Sequence, residues 1–316
     1  MTSNSDTRRP VPVGRFAPSP SGRMHLGNIY TALLSWLSVK SRGGRWILRI
    51  EDLDPQRSKI EWARLIEDDL SWLGLEWDEG GIDGKGSAGP YRQSERTHIY
   101  EHYLERLVNT GFTYKCTCTR ADIMATQAPH QSDGRIIYAG TCRPQSMPCH
   151  AFDPGASGAV RLYVPDSTIA FDDMIAGRVE YNLARDCGDF VLRRADGAWA
   201  YQLAVVVDDA LMGVNEVMRG DDLILSAAQQ IYLYRLFGFE PPRFAHLPLV
   251  LNDEGVRLSK RDSALGMDAL RERYTPSMVI GLAAHRACLI PSPQPVSLSE
   301  LMDVVKRKTK ACDAMI

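Results

Sequence analysis

Arg15-Phe16-Ala17-Pro18-Ser19-Pro20-Ser21-Gly22-Arg23-Met24-His25-Leu26-Gly27-Asn28 is the stretch whose reading decides the fold. Residues from about Val11 to Ala17 are apolar enough for a short buried strand. Pro18, Pro20 and Gly22 cannot continue it, so the chain must turn through a loop. From His25 the apolar residues Leu26, Ile29, Tyr30, Leu33, Leu34 and Leu37 recur at helical spacing, and Gly43-Gly44 stops the helix. Arg45 to Ile50 then reads as a second strand. Strand, helix, strand is a βαβ unit with a right-handed crossover. The fold class expected is therefore α/β, a Rossmann-like, doubly wound parallel sheet.

Working outward, the spacing predicts one helix through Trp62, Leu65, Ile66 and Leu73 and another through Tyr100, Tyr103, Leu104, Leu107 and Val108. Gly80 to Pro90 between them is expected to be a Gly-rich, mobile loop. Strand signals return at Ala159–Val164, Asp189–Arg194 and Gln202–Val207, followed by a helix over Ser226–Phe237 that Gly238 ends. Thr275-Pro276 reads as an N-cap with Pro at the first helical position, and Ser297 to Glu300 as a capping box. Residues 112–155 differ: Cys, Pro, Gly and Thr dominate, with little periodicity, as in an insertion too small to build its own core. The organisation expected is the first half of an α/β domain over 1–111, an insertion over 112–155, the second half of that domain over 156–264, and a short helical C-terminal segment over 265–316.

The 316 residues are 44% hydrophobic and 24% charged, which excludes a chain disordered through low hydrophobicity. With 37 Lys and Arg against 39 Asp and Glu, the formal charge is -2, so any nucleic-acid contact should be small and focused rather than a long basic track. No apolar run is long enough for a membrane helix, and the polar start Met1–Pro10 lacks a signal peptide's apolar centre. A cytoplasmic protein without a membrane partner, working as a monomer, is expected. The seven cysteines, three of them close together, then suggest metal before disulfides.

A loop that enters a helix at His25-Leu26-Gly27-Asn28 suits phosphate, because the first N–H groups and the helix dipole point at an anion. Gly27 allows close approach, and His25 can donate to a phosphate oxygen; the plain alternative is a histidine that caps the helix. The fourteen-residue run resembles the ATP-binding signature of class I aminoacyl-tRNA synthetases, in their glutamyl and glutaminyl branch. That family needs a second phosphate clamp far along the chain, and Val256-Arg257-Leu258-Ser259-Lys260-Arg261 resembles its Lys-Ser loop, with Leu258 where Met is commoner. The resemblance implies ATP as substrate with Mg²⁺, bound by His25, Gly27, Asn28, Ser259 and Lys260. His25 and Lys260 would stabilise charge on the phosphoryl oxygens, with no nucleophilic side chain or general base required.

Glutamate carries two carboxylates and one ammonium, so a selective pocket needs cationic forks and one anion. Arg15 on the first strand can supply a fork, and Glu51 after the second strand can meet the ammonium. Both stand at carboxyl ends of adjacent strands, where doubly wound sheets bind ligands. Trp199-Ala200-Tyr201-Gln202-Leu203-Ala204-Val205-Val206-Val207-Asp208-Asp209 and Val217-Met218-Arg219-Gly220-Asp221-Asp222 resemble the family's glutamate-site segments. The resemblance implies Phe16, Ala17, Pro18, Ser19, Tyr201 and Arg219 as further parts of that pocket. A core role for Tyr201 and an ion pair of Arg219 with Asp221 or Asp222 stay open.

Cys116-Thr117-Cys118 and Cys142 offer three thiolates suited to tetrahedral zinc. For the fourth ligand, Cys149 and His150 are ordinary types nearby. The pattern Cys-x-Cys, then Tyr-x-x-x-Cys, is similar to the zinc module of the short glutamyl-Q synthetases and implies Tyr138. Zinc there would be structural, holding the insertion together. Cys187, Cys288 and Cys312 have no partner in spacing and are read as structural.

The resemblance covers about Val11 to Ala264. The stretch after Lys260 is too short for the helical anticodon-reading region of a full glutamyl-tRNA synthetase. That is the pattern of glutamyl-Q tRNA(Asp) synthetases, which implies activation of glutamate as its adenylate without tRNA, then transfer to queuosine in the anticodon stem-loop of tRNA(Asp). The other readings are a stand-alone or truncated glutamyl-tRNA synthetase that charges the 3′ end, another nucleotidyltransferase with a similar ATP site, and a non-catalytic tRNA-binding or regulatory paralogue.

Overall fold

In the computed structural model, which describes residues 11–125, 137–149, 156–250 and 265–313, a parallel sheet organises the chain. Its strands are β1 (Val13–Phe16), β2 (Arg45–Leu48), β3 (Glu79–Gly80), β9 (Glu216–Gly220) and β10 (Arg243–Leu247), in the order β10-β9-β1-β2-β3. Every pairing among them is parallel. From β1 the order runs outward in both directions, so β1 and β9 flank a topological switch point.

Side chains on these strands alternate between two cores, as a sheet covered on both faces requires. Val13, Ile47 and Val217 join one core with α3 (Thr97–Asn109), α5 (Tyr201–Leu211) and α6 (Ile224–Phe237). Phe16, Trp46, Leu48 and Leu247 join the other with α1 (Leu26–Lys40), α2 (Ile60–Trp72) and α8 (Pro276–Arg286). The expected doubly wound architecture is observed.

Two sequence expectations fail locally. Gln202–Val207 is not a strand but lies inside α5. All residues from Leu203 to Asp209 are buried, so the helix has no polar face along that stretch. A short, uniformly apolar run with three valines reads the same as a buried strand. Gly80, expected to open a loop, instead ends β3: it pairs with Leu48, and at φ +96° a Cβ there would strike the Leu48 carbonyl oxygen. Only glycine fits that approach.

The caps agree with expectation. Thr275 accepts from the Met278 N–H at the start of α8. Ser297 and Glu300 form reciprocal bonds at the start of α9 (Leu298–Asp313). Gly238 ends α6 in the left-handed region.

The cysteine segment begins with β4 (Thr113–Cys116), which continues through α4 (Arg120–Ala125). β4 pairs antiparallel with β5 (Ala159–Leu162), and β5 pairs with β8 (Phe190–Arg193). A separate hairpin, β6 (Thr168–Asp173) and β7 (Gly177–Asn182), packs beside β10. α7 (Met267–Arg273) returns the chain to the loop after β1, where Gly266 bridges to His25. Among the described residues no helix is long and apolar enough to cross a membrane.

Candidate active site

The loop after β1 is stapled to the chain leaving β2. The N–H groups of Arg49, Glu51 and Lys59 donate to the carbonyls of Phe16, Pro18 and Pro20 at 3.0 Å each. Arg23 is tied to Asp69 of α2 and to Asp268 of α7, so this signature cation serves the loop's shape. The chain then enters α1 with His25 as N-cap. The His25 Nδ1 accepts from the Gly27 N–H at 3.1 Å, and the Asn28 side chain accepts from the His25 N–H at 3.0 Å. Because Nδ1 accepts, a neutral ring carries its proton on Nε2, as a donor. A Cβ on Gly27 would lie 3.0 Å from that ring, so glycine here also makes room for His25 itself.

This helix start and the carboxyl ends of β1, β9 and β10 enclose a cavity of about 510 Å³. It is lined by Arg15, Phe16, Ala17, Pro18, Ser19, His25, Gly27, Asn28, Glu51, Tyr201 and Arg219. These are all the residues expected at the amino-acid and ATP sites except Ser259 and Lys260, which lie outside the described residues. Val250 and Gly266, flanking that stretch, line the cavity and bridge to His25 respectively.

The charges in the cavity are held by a buried network that sequence reading did not find. Arg15 donates from Nε to Asp209 at 3.3 Å and from Nη1 to the Met218 carbonyl at 3.4 Å. Arg49, wholly buried, donates to Asp209 at 2.6 Å and to Glu51 at 3.1 Å. Asp208 accepts from Arg96, Gln93 and Tyr100 at 2.6, 2.8 and 2.9 Å. Burial works against the charge of Arg49, but Asp209, Asp208 and Glu51 outweigh it and raise its pKa well above the usual arginine value. Burial raises the Glu51 pKa, only partly offset by Arg49 and Arg15. A ligand ammonium beside Glu51 would favour its ionised form. The one signal for this network was two carboxylates ending an apolar run, since buried carboxylates need partners.

Arg219 does not take the ion pair with Asp221 or Asp222 that stood as an alternative. It donates to His246 Nε2 at 3.1 Å, to Gln230 Oε1 at 2.8 Å, to the Leu223 carbonyl at 3.3 Å and to the Tyr201 hydroxyl at 3.4 Å. Tyr201, the first residue of α5, thus faces the cavity with Arg219.

The cysteine cluster is separate. The Sγ atoms of Cys116, Cys118 and Cys142 all lie within 4.8 Å of one another, with Cys118 and Cys142 3.5 Å apart. The Tyr138 oxygen stands 3.4 Å from Cys116 Sγ and 3.8 Å from Cys118 Sγ, and accepts from the Cys142 N–H at 2.7 Å. Ligands at about 2.3 Å around a tetrahedral zinc are separated by about 3.8 Å, close to the 3.4, 3.5 and 3.8 Å separations here. Burial raises the Cys142 pKa, but hydrogen bonds from the Thr117 N–H and from Tyr138, Cys118 and Cys116 bring it down to about 6. Cys149 is not among the three grouped thiols, and His150 lies outside the described residues. Cys187 packs against the core of α5 and α6, and Cys288 is exposed at the end of α8.

Residues 12–292 match the family described as tRNA synthetases class I (E and Q), catalytic domain. A glutamyl-Q tRNA(Asp) synthetase of Symbiobacterium thermophilum is 49% identical over 298 residues, 92% of this chain and 91% of that one. A glutamate–tRNA ligase of Sulfurihydrogenibium sp. is 44% identical over 261 residues, 82% of this chain but 54% of that one. The solved structure of a glutamate tRNA ligase from Elizabethkingia meningosepticum, in complex with its amino acid, superposes with a TM-score of 0.77 at 32% identity, covering 92% of this chain and 64% of that one. The chain therefore spans between half and two thirds of the ligases it matches. It belongs to the class I tRNA synthetases of the glutamate and glutamine branch, and with them to the ligases.

Proposed function

We propose that this chain activates glutamate with ATP, without tRNA, and passes the glutamyl group to the queuosine base in the anticodon of tRNA(Asp). The observation that carries the first half is charge complementarity. One cavity holds two buried guanidiniums, Arg15 and Arg219, and one partly buried carboxyl, Glu51, beside a helix N-terminus capped by His25. Two cations and an anion match glutamate's two carboxylates and ammonium, and the helix N-terminus matches a phosphate. Phe16, Ala17, Pro18 and Ser19 shape the wall between them.

The reaction needs alignment more than proton transfer. An oxygen of the amino acid's α-carboxylate attacks the α-phosphorus, the bond from that phosphorus to the bridging oxygen breaks, and pyrophosphate leaves with the electron pair. His25 Nε2–H, the positive end of α1 at Gly27 and Asn28, and Ser259 and Lys260 would meet the phosphate oxygens, where charge shifts most. Mg²⁺ would accompany ATP, with phosphate oxygens among its ligands. The acceptor then attacks the acyl carbon and AMP leaves.

The queuosine acceptor draws its support from the glutamyl-Q tRNA(Asp) synthetase that shares 49% identity over nearly the full length of both chains. The test is labelled glutamate, ATP and tRNA(Asp) with and without queuosine. Pyrophosphate exchange should proceed before any tRNA is added, and label should enter only the queuosine-containing tRNA. Label released with the 3′-terminal adenosine, equal for both tRNAs, would overturn the acceptor and favour a ligase charging the 3′ end.

The cysteine cluster is proposed to hold one structural zinc through Cys116, Cys118, Tyr138 and Cys142. Zinc there supplies cross-links for a segment with little core of its own: among the described residues its cluster buries only Tyr114, Cys116 and Tyr138. Metal analysis should return one zinc per chain, and Cys142→Ser should lose most of it. A purified Cys142→Ser protein with undiminished zinc would move the site elsewhere.

A further inference from the structure

Arg219 is held from behind by a relay of two buried groups on other elements. Its Nε–H meets His246 Nε2 at 3.1 Å, and His246 Nδ1 lies 2.6 Å from Asp173 Oδ2 at the end of β6. All three residues are at most 5% exposed. An arginine N–H can only donate, so His246 Nε2 must accept. The ring proton then sits on Nδ1 and goes to Asp173. The Phe244 ring stacks under His246, and the Arg219 guanidinium lies over it at 5.2 Å. Burial and the neighbouring Arg219 cation lower the His246 pKa, and Asp173 offsets this only in part, which keeps the ring neutral and able to accept.

The donor inventory shows what the relay achieves. Arg219 has five N–H groups; among the described residues four have partners, on His246, Gln230, Tyr201 and Leu223. The fifth, on Nη2, is what the guanidinium can turn to a carboxylate in the cavity. Its direction follows from the plane that His246 imposes.

We infer that His246, with its tautomer set by Asp173, is the positioning residue that aims Arg219 at a carboxylate of the bound amino acid. The inference rests on the reading that the cavity takes glutamate. Neither His246 nor Asp173 lines that cavity, so both act through Arg219.

Asp173→Asn tests it with almost no change of shape. Asp173 Oδ1 accepts the N–H groups of Ile175, Ala176 and His246, so it must stay an acceptor. The new amide nitrogen therefore takes the place of Oδ2 and donates to Nδ1. The ring proton is driven to Nε2, where it opposes the Arg219 N–H. The KM for glutamate in pyrophosphate exchange should rise about 10- to 100-fold. The KM for ATP and kcat at saturating glutamate should stay within about threefold of the parent. The ¹⁵N shifts of the His246 ring should exchange between its two nitrogens, a readout independent of activity.

A pair of variants separates aiming from mere packing. His246→Gln can place its oxygen near the former Nε2 and should hold the glutamate KM within about threefold of the parent. His246→Asn reaches only to the Nδ1 position and should behave as Asp173→Asn does. An unchanged KM in Asp173→Asn despite exchanged shifts, or equal losses in the Gln and Asn variants, would overturn the inference. Absence of exchange in the parent enzyme would instead strike the glutamate reading, and the ring shifts would still report the relay. Should Asp173→Asn prove insoluble, the His246 pair decides.

Discussion

Replacing Asp208 by alanine is expected to remove about 3–5 kcal/mol of folding stability, the largest loss from any single side chain in the buried network. Asp208 is wholly buried and collects Arg96, Gln93 and Tyr100 at hydrogen-bond distance, with Arg49 Nε 3.7 Å away. Alanine would leave two buried guanidiniums short of an anion, and neither can shed its proton. The damage comes from what remains charged rather than from the carboxylate's own lost contacts. Urea denaturation should show a large drop in midpoint with little change in slope. Asp208→Asn, which keeps an acceptor and loses the charge, should fall between the two. A loss below about 1 kcal/mol for the alanine variant would mean that the network does not hold α3 against α5.

His25→Ala should slow adenylate formation by about 10²-fold or more while leaving glutamate affinity nearly unchanged. The ring's Nδ1 is used within the chain, on the Gly27 N–H, so Nε2–H is the nitrogen proposed to meet phosphate. Because His25 is also the N-cap of α1, alanine costs about 1 kcal/mol of stability as well. His25→Asn separates the two duties: it can cap the helix, restoring stability, but has no second donor at the ring's far end, so the rate should stay low. Single-turnover measurement of pyrophosphate release reads the chemical step directly. Near-normal rates in both variants would take the phosphate role from His25. Lys260→Ala is expected to slow the same step to a similar degree.

What the sequence made legible was local. The Pro18–Gly22 loop, the helix start at His25, the Gly43-Gly44 stop and the Thr275 and Ser297 caps each rest on neighbours within a few residues, and each is where it was expected; His25 also caps its helix, as the plain alternative had it. The Cys-x-Cys and Tyr-x-x-x-Cys spacings likewise brought four atoms within reach of one centre. What stayed hidden was of two kinds. Burial on all sides erased the period of α5, so a helix looked like a strand. Partners far apart along the chain left no pattern: His246 meets Arg219 across 27 positions and Asp173 across 73. Arg15 and Arg219 were visible as cations, but what holds each in place was not.

That difference in support sets how the pocket can evolve. Arg15 shares Asp209 with Arg49, so exchanging Arg15 for a neutral residue leaves a buried anion with one cation fewer. Arg219 leans on neutral groups, an imidazole, an amide, a hydroxyl and a carbonyl. Its replacement by a polar residue of similar reach breaks no ion pair among the described residues, and Asp209, which feels the Arg219 charge only through space, keeps Arg15 and Arg49. The two cations therefore differ in mutability. Arg15 is bound up with the fold's survival, whereas Arg219 is the position where selection can trade a charged substrate for an uncharged relative without first stabilising the whole protein.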